Sequence, residues 1–164
     1  MVIWFIGQSG SGKSFYAEKL FSLLKKKYKK IFFFLLDGDM FRKYISSDLG
    51  YTKLERKKNS LRLINFCRYL ESQNIVCICS ILSIFPNHQK TNRKTFKKYI
   101  QIYINADSQL LKKRNKKKIY SKKNVVGKDI LFPKPYNSDL TIHNNFKSYK
   151  SNFLKIKNLI FNNL

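Results

Sequence analysis

Acidic residues are scarce in this chain. Its 164 residues include 9 Asp and Glu against 34 Lys and Arg, a formal charge of +25. A field of that sign attracts polyanions, whether nucleic acid, an anionic membrane or phosphorylated small molecules. The excess is mostly Lys, in a chain also rich in Asn, Ile and Phe. All four have A/T-rich codons, so nucleotide bias in the gene can supply much of it. Cysteine is equally sparse. Cys67, Cys77 and Cys79 are an odd set that excludes a disulfide framework, and the spacing of the last two makes them neighbours on one strand face. Buried free thiols in a reducing compartment are expected. The two histidines, His88 and His143, are far apart and lack ligand-spaced companions, which excludes a zinc signature. The longest apolar runs, 2–6 and 31–36, are far too short to span a bilayer. No basic segment precedes an apolar stretch of signal-peptide length, so a cytoplasmic protein without a membrane partner is expected.

What is present is a core. The apolar fraction is 43%, with 14 Phe and 10 Tyr, enough for one packed domain and too little length for two. Strands are expected at 2–6, 31–36, 75–82, 99–104 and 140–142. Helices are expected at 13–26, 52–73, 90–98, 107–114 and 146–161. Strand 31–36 reads as buried on both faces. Thr52 reads as the N-cap of the long helix, with Leu61, Leu63, Ile64, Cys67 and Leu70 as its inner stripe. No internal repeat and no dividing linker is evident, so 1–164 is expected to form one unit. Alternating strands and helices predict an α/β fold, a parallel sheet with helices on both faces. Ligands bind such sheets at the carboxyl ends of the strands. Those ends carry a glycine loop, an Asp-Gly-Asp, Ser83 and the segment after Ile104.

The loop Gly7-Gln8-Ser9-Gly10-Ser11-Gly12-Lys13-Ser14 is a complete Walker A match between a strand and a helix. Its backbone amides can wrap the phosphates of ATP, Lys13 can reach the β- and γ-phosphates, and Ser14 can ligate Mg²⁺. Asp37 and Asp39 flank Gly38 just past the second strand. If the chain stays extended there, both carboxylates point the same way. One can hold Mg²⁺, and the other can take a proton from an attacking hydroxyl. These assignments make Lys13, Asp37 and Asp39 the candidate catalytic residues and Ser14 and Asp37 the candidate metal site. The alternative for the acidic pair is an ordinary surface turn.

Two further segments carry a resemblance. Leu36-Asp37-Gly38-Asp39-Met40-Phe41-Arg42 resembles the Asp-Gly-Asp-x-x-Arg signature of adenylylsulfate (APS) kinases. The stretch from Leu49 through Gly50, Tyr51, Glu55 and Arg56 to Asn59 resembles the family's Leu-Gly-Phe and acidic-Arg-x-x-Asn segment. Weaker similarity runs through Ser83, Arg93, Arg114, Lys117 and Tyr120 to Asp139. The resemblance implies a P-loop kinase fold that transfers the ATP γ-phosphate to the ribose 3′-hydroxyl of a nucleotide modified at its 5′ end. It implies Asp39 as the catalytic carboxylate, with Arg42, Arg56, Asn59 and Ser83 as acceptor contacts. It also implies Tyr51 as a ring stacked on the acceptor base. The basic run at about 112–135 has ten Lys or Arg against one acid, Asp129. It resembles the family's lid, with Arg114 and Lys117 as further ATP contacts. A small-molecule nucleotide is therefore the expected partner, nucleic acid is not, and a homodimer stays open.

The chain also departs from the family. A Phe-Thr-Gly-Ile segment, whose Phe forms the second wall around the acceptor's adenine, is replaced by Val125-Val126-Gly127-Lys128. Phe-Ile-Ser-Pro-Tyr becomes Ile81-Leu82-Ser83-Ile84-Phe85, and Phe132-Pro133-Lys134-Pro135 replaces an acidic stretch. These changes cluster on the acceptor half. They are more similar to a capsule-assembly branch of the family whose acceptor is cytidine diphosphoramidate, with Val125 in place of the ring. APS itself remains the alternative. A kinase of shikimate or gluconate type is disfavoured by the Arg56…Asn59 spacing. A basic nucleic-acid-binding protein lacks any RNP, KH or helix-turn-helix signal.

Overall fold

The computed structural model describes residues 1–114 and 123–164, with the side chain of Arg114 excepted. Five strands form one parallel sheet: β1 (Val2–Ile6), β2 (Phe33–Asp37), β3 (Val76–Ile81), β4 (Tyr99–Asn105) and β5 (Leu140–His143). Their order across the sheet is β2-β3-β1-β4-β5. The helices are α1 (Lys13–Lys27), α2 (Gly38–Tyr44), α3 (Lys53–Ser72), α4 (Pro86–Thr95), α5 (Ser108–Arg114) and α6 (Tyr149–Phe161). The α/β class and parallel sheet are as the sequence predicts.

Central strand β1 is buried along its whole length, and its side chains alternate between two cores. Val2, Trp4 and Ile6 face one core with Cys77 and Cys79 of β3, where Leu63, Ile64, Cys67 and Leu70 of α3 cover them. Ile3 and Phe5 face the other with Ile78 and Ile102, beneath Tyr16, Ala17, Leu20 and Leu24 of α1 and Ile156 and Ile160 of α6. The three cysteines are buried and unbonded, with the sulfurs of Cys67 and Cys79 3.6 Å apart. Burial heads the causes that push the Cys79 thiol up, which leaves it inert. No helix among the described residues is long and apolar enough to cross a membrane.

The structure corrects several local expectations. Strand β2 is an edge strand and not doubly buried: Phe34 is partly exposed and Phe32, just before it, is 77% exposed. Strand order depends on the crossovers and not on local hydrophobicity. Helix α3 begins at the Thr52 cap, where Thr52 and Glu55 form a reciprocal capping box, but Leu61 points outward. Helix α4 starts at 86 and not 90, because Pro86 stands at its first position, where a missing N–H costs nothing. Phe96 then turns extended and ends it. Helix α6 starts at 149 and not 146, since Phe146 has φ of 65°.

The largest correction falls at Asp37. The chain does not stay extended through 37–39. Asp37 is the N-cap of α2, and its Oδ1 accepts from the amides of Asp39 (2.9 Å) and Met40 (3.2 Å). The two carboxylates therefore occupy a cap and a first helical turn and do not share one strand face.

Candidate active site

All the strands end at one edge, where the glycine loop leaves β1. Gly10 and Gly12 have φ of 81° and 101°, conformations that a side chain would strain. A Cβ on Gly12 would also lie 2.8 Å from the Asn144 amide. Helix α1 has no side-chain cap and no acid in its first turn, so its leading amides remain available to an anion. The ammonium of Lys13 folds back over the loop and donates to the Gln8 carbonyl at 2.7 Å.

Asp37 sits across from this loop because β2 pairs with β3 and not with β1. That pairing sets Asp37 opposite Ser80. Its Oδ2 accepts from the hydroxyls of Ser14 and Ser80, each at 2.8 Å. Burial works to raise its pKa. The two hydroxyls and the Met40 and Asp39 amides outweigh burial and hold the carboxyl below the ordinary aspartate range. Ser14, Asp37 and Ser80 together form an all-oxygen donor set carrying one negative charge. That suits Mg²⁺, which keeps most of its shell as water and substrate phosphate.

A cleft of about 260 Å³ joins these groups to the acceptor-side residues. Its lining includes Ser9, Gly10, Gly12, Lys13, Ser14, Asp37 and Asp39, and then Arg42, Tyr51, Arg56 and Asn59. Tyr51 is 56% exposed, so it is no core residue. The guanidinium groups of Arg42 and Arg56 lie 4.9 and 5.3 Å from its ring centre. Backbone carbonyls hold both arginines in place. Arg42 donates to Gly50 at 2.6 Å, and Arg56 donates to Tyr51 at 3.0 Å and Asn124 at 2.8 Å. Among the described residues no carboxylate forms an ion pair with either. Burial, and for Arg56 also the charge of Arg42, lowers their pKa values, a destabilisation that a bound anion relieves.

Other expected site residues stand elsewhere. Ser83 has φ of 47° and is turned inward, and its hydroxyl and carbonyl accept from the Gln89 amide at 3.3 and 3.0 Å. It borders a smaller cavity adjoining the cleft. Val125 is 4% exposed and does not line the cleft; its neighbour Asn124 is what reaches Arg56. Gly7 and Ser11 form the buried root of the loop, where a Cβ on Gly7 would strike the Ile104 carbonyl. Gln8 packs beside Gly127, bringing the segment after the basic run against the loop. Arg114 ends α5, whereas Lys117 and Tyr120 lie outside the described residues. Arg93 and Asp139 form an ion pair at 2.8 Å that ties α4 to the approach of β5.

Two contributors escape a reading by motif. Ser80 is a single hydroxyl at the end of an apolar strand, visible only once β2 is known to pair with β3. Asn144 follows β5, donates to the Ser11 carbonyl at 2.8 Å and accepts from Tyr16 and Phe146, which braces the loop from 133 residues away.

The comparisons with known proteins agree with this geometry. Residues 1–143 match the adenylylsulphate kinase family. The chain is 36% identical over 153 residues to a cytidine diphosphoramidate kinase of Campylobacter jejuni, covering 90% of this chain and 88% of that one. It is 34% identical to an adenylyl-sulfate kinase of Clostridium acetobutylicum, covering 86% and 73%. The fold superposes on the APS kinase of Mycobacterium tuberculosis, solved with AMPPNP and APS, with a TM-score of 0.86, 25% identity and coverage of 97% and 96%. With its glycine loop, Asp-Gly-Asp cap and paired arginines in one cleft, this chain belongs to the adenylylsulphate kinase family of phosphotransferases.

Proposed function

We propose that the protein transfers the γ-phosphate of ATP to the ribose 3′-hydroxyl of a 5′-modified nucleotide, with cytidine diphosphoramidate as the acceptor. The observation that carries the reaction is the continuity of the cleft, which is lined together by the glycine loop, Asp37 and Asp39, and the arginine pair Arg42 and Arg56. The choice of acceptor leans on the 36% likeness to the Campylobacter enzyme.

In this reading the loop amides and the start of α1 bind the ATP phosphates. Lys13 exchanges the Gln8 carbonyl for the transferring group. Ser14 and Asp37 hold Mg²⁺, which when bound offsets charge on the β- and γ-phosphates. Arg42, Arg56 and Asn59 fix the acceptor's 5′ end, and Tyr51 takes its base. Asp39 accepts the proton of the 3′-hydroxyl as its oxygen bonds to the γ-phosphorus. The bond to the β-bridging oxygen breaks, and its electron pair leaves with ADP. Arg114 and Lys117 close over ATP from the basic run. A cytoplasmic setting, where ATP is available, goes with this chemistry.

A second reading, APS as acceptor, is favoured by the several adenylyl-sulfate kinases among the relatives. Release of ADP, followed with cytidine diphosphoramidate and with APS in parallel, tests both. Higher kcat/KM for the cytidine nucleotide is expected. Preference for APS replaces the first reading with the second, and turnover with neither overturns the nucleotide 3′-kinase.

A further inference from the structure

The strands begin at the end of the sheet opposite the cleft, and three segments meet there: 25–32, 68–74 and 96–98. The Phe32 carbonyl accepts from the Val76 amide at 2.9 Å, the Lys97 amide donates to Glu71 at 3.2 Å, and the Lys98 carbonyl accepts from the Val2 amide at 2.8 Å. Lys25, Lys26, Lys27, Lys29 and Lys30 of the first segment are exposed, as are Arg68 of the second and Lys97 and Lys98 of the third. Glu71 is the one carboxylate in these segments, and it is buried. Apolar side chains stand among the charges. Phe34 packs edge-on against Phe66 of α3, with ring centres 5.7 Å apart. Phe32 lies two residues earlier in the extended chain and Tyr69 three residues later in the helix, so both continue that row toward the strand starts. There they stand open to solvent: Phe32 is 77% exposed, Tyr69 62% and Ile31 37%. None of these residues lines the cleft. Strands of five and six residues set the two ends of the sheet roughly 15–20 Å apart.

We infer that this end of the sheet docks on the surface of an anionic lipid bilayer, with Ile31, Phe32 and Tyr69 entering the headgroup boundary and the surrounding lysines meeting the lipid phosphates. Apolar and aromatic groups set among lysines are the composition of an interfacial surface. The rings reach the boundary between headgroups and acyl chains, and the long lysine stems keep their charges at headgroup level. Two observations favour a bilayer over a nucleic acid. The cations are seven lysines and one arginine. Lysines are point charges that suit a diffuse anionic layer and lack the fork that reads bases. The apolar group also includes the aliphatic Ile31, which gains from an acyl boundary and offers no ring for a base to stack on. Attachment of this kind is peripheral, and among the described residues no helix is long and apolar enough to cross a membrane. It revises the sequence-based expectation of no membrane partner, which rested on the lack of spanning segments. With this end on the lipid, the cleft faces away and stays open to soluble substrates.

The test is cosedimentation of the full chain with vesicles of phosphatidylcholine alone and with vesicles containing roughly one-third phosphatidylglycerol. The anionic vesicles should bind at least about 100-fold more tightly. Each lysine at the surface is worth about fivefold, so Lys29→Ala/Lys30→Ala should weaken binding about 25-fold. Phe32→Ser keeps the charge and should weaken binding roughly tenfold or more, the worth of burying one aromatic side chain. Tyr69→Ser makes the same test from α3, and thermal melts establish which variants are folded. Lys147→Ala/Lys150→Ala removes the same charge from exposed positions at the start of α6, at the other end of the sheet, and should stay within about threefold of the parent. Equal binding to both vesicle types overturns the inference. So does parent-like binding by folded Phe32→Ser or Tyr69→Ser, or a loss in the Lys147/Lys150 variant as large as in the Lys29/Lys30 variant. Tighter binding of a single-stranded oligonucleotide, with the same loss in Phe32→Ser, makes nucleic acid the occupant and overturns it too. The readout needs no turnover, so it stands apart from the choice of acceptor.

Discussion

Asp37 performs two tasks that substitution can separate. One oxygen caps α2, and the other collects the Ser14 and Ser80 hydroxyls. Replacing it with Ala removes the cap, which costs about 0.5–2 kcal/mol. It also releases two hydroxyls, each worth about 0.5–1.5 kcal/mol net. The hydroxyls recover part of this, because they lie 3.2 Å apart and can bond to each other. The expected loss is about 1–3 kcal/mol, or a fall of roughly 2–12 °C in Tm for a chain of this length. Asp37→Asn differs. An amide oxygen caps a helix as well as a carboxylate does, and its NH₂ can donate to hydroxyls that rotate. Its stability should stay within about 1 kcal/mol of the parent.

Turnover should separate from stability. Both substitutions remove the negative charge facing Ser14, so ADP release should fall at least about 10²-fold in each, the Asn variant included. Thermal melts and a coupled ADP assay on the same preparations decide this. If Asp37→Asn keeps near-normal turnover, the carboxylate is only a cap and the metal role fails. The pH dependence gives a second check. The folded pKa of Asp37 is depressed, so its contribution is present in full above the ordinary aspartate range and is lost as pH falls through the folded value. The stability gap between the parent and Asp37→Asn should therefore hold at neutral pH and narrow as pH falls below the ordinary aspartate range. A gap that widens on acidification contradicts the hydrogen-bond account.

Three further outcomes are expected. Lys13→Ala, measured by ADP release, should lose about 10³-fold or more in turnover and melt near the parent temperature, since Lys13 is only half-buried and its bond to the Gln8 carbonyl stays within one loop. Asp39→Asn should reduce kcat by about 10²–10⁴-fold while acceptor binding, followed by calorimetry, stays nearly unchanged. Asn144→Ala should cost about 1–3 kcal/mol in denaturant melts and raise KM for ATP more than it lowers kcat, because it unbraces the loop at Ser11 without touching the reacting atoms.

Features written in consecutive residues were legible in the sequence. The glycine loop needs only its own spacing, and the Thr52 cap needs only the start of the amphipathic stretch that follows it. The α/β alternation follows from short apolar runs between amphipathic stretches. Features set by pairing across the sheet were not. That Ile31 and Phe32 sit at an exposed rim follows from β2 pairing on one side only. Ser80 joins Asp37 through a register that local pattern does not encode. Asn144 reaches Ser11 only after the whole sheet has been wound. The Asp-Gly-Asp lay between these cases. Period-two spacing describes a strand, but an Asp at a strand's end caps a helix just as well, and the second reading prevailed.

The shortage of acid acquires a meaning once each one is located. Glu71 holds the N-terminal ammonium, Asp48 holds Arg62 and Asp139 holds Arg93. Glu55 closes the box at α3, Asp107 accepts the first amides of α5 and Asp129 accepts the Val125 amide. Asp37 and Asp39 stand in the cleft. Of the nine acids only Glu18, on exposed α1 surface, has no such task. None forms an ion pair with Arg42 or Arg56 among the described residues, although both are partly buried and face one another's charge. Two neighbouring, partly buried guanidinium groups with no ion-pair partner are costly, and the carbonyls and the Tyr51 ring that hold them offset this only in part. They become favourable when an anion enters, as the 5′ group of the proposed acceptor would. The scarcity of carboxylates thus leaves the arginine pair without an ion-pair partner among the described residues, which suits a site that receives an anion.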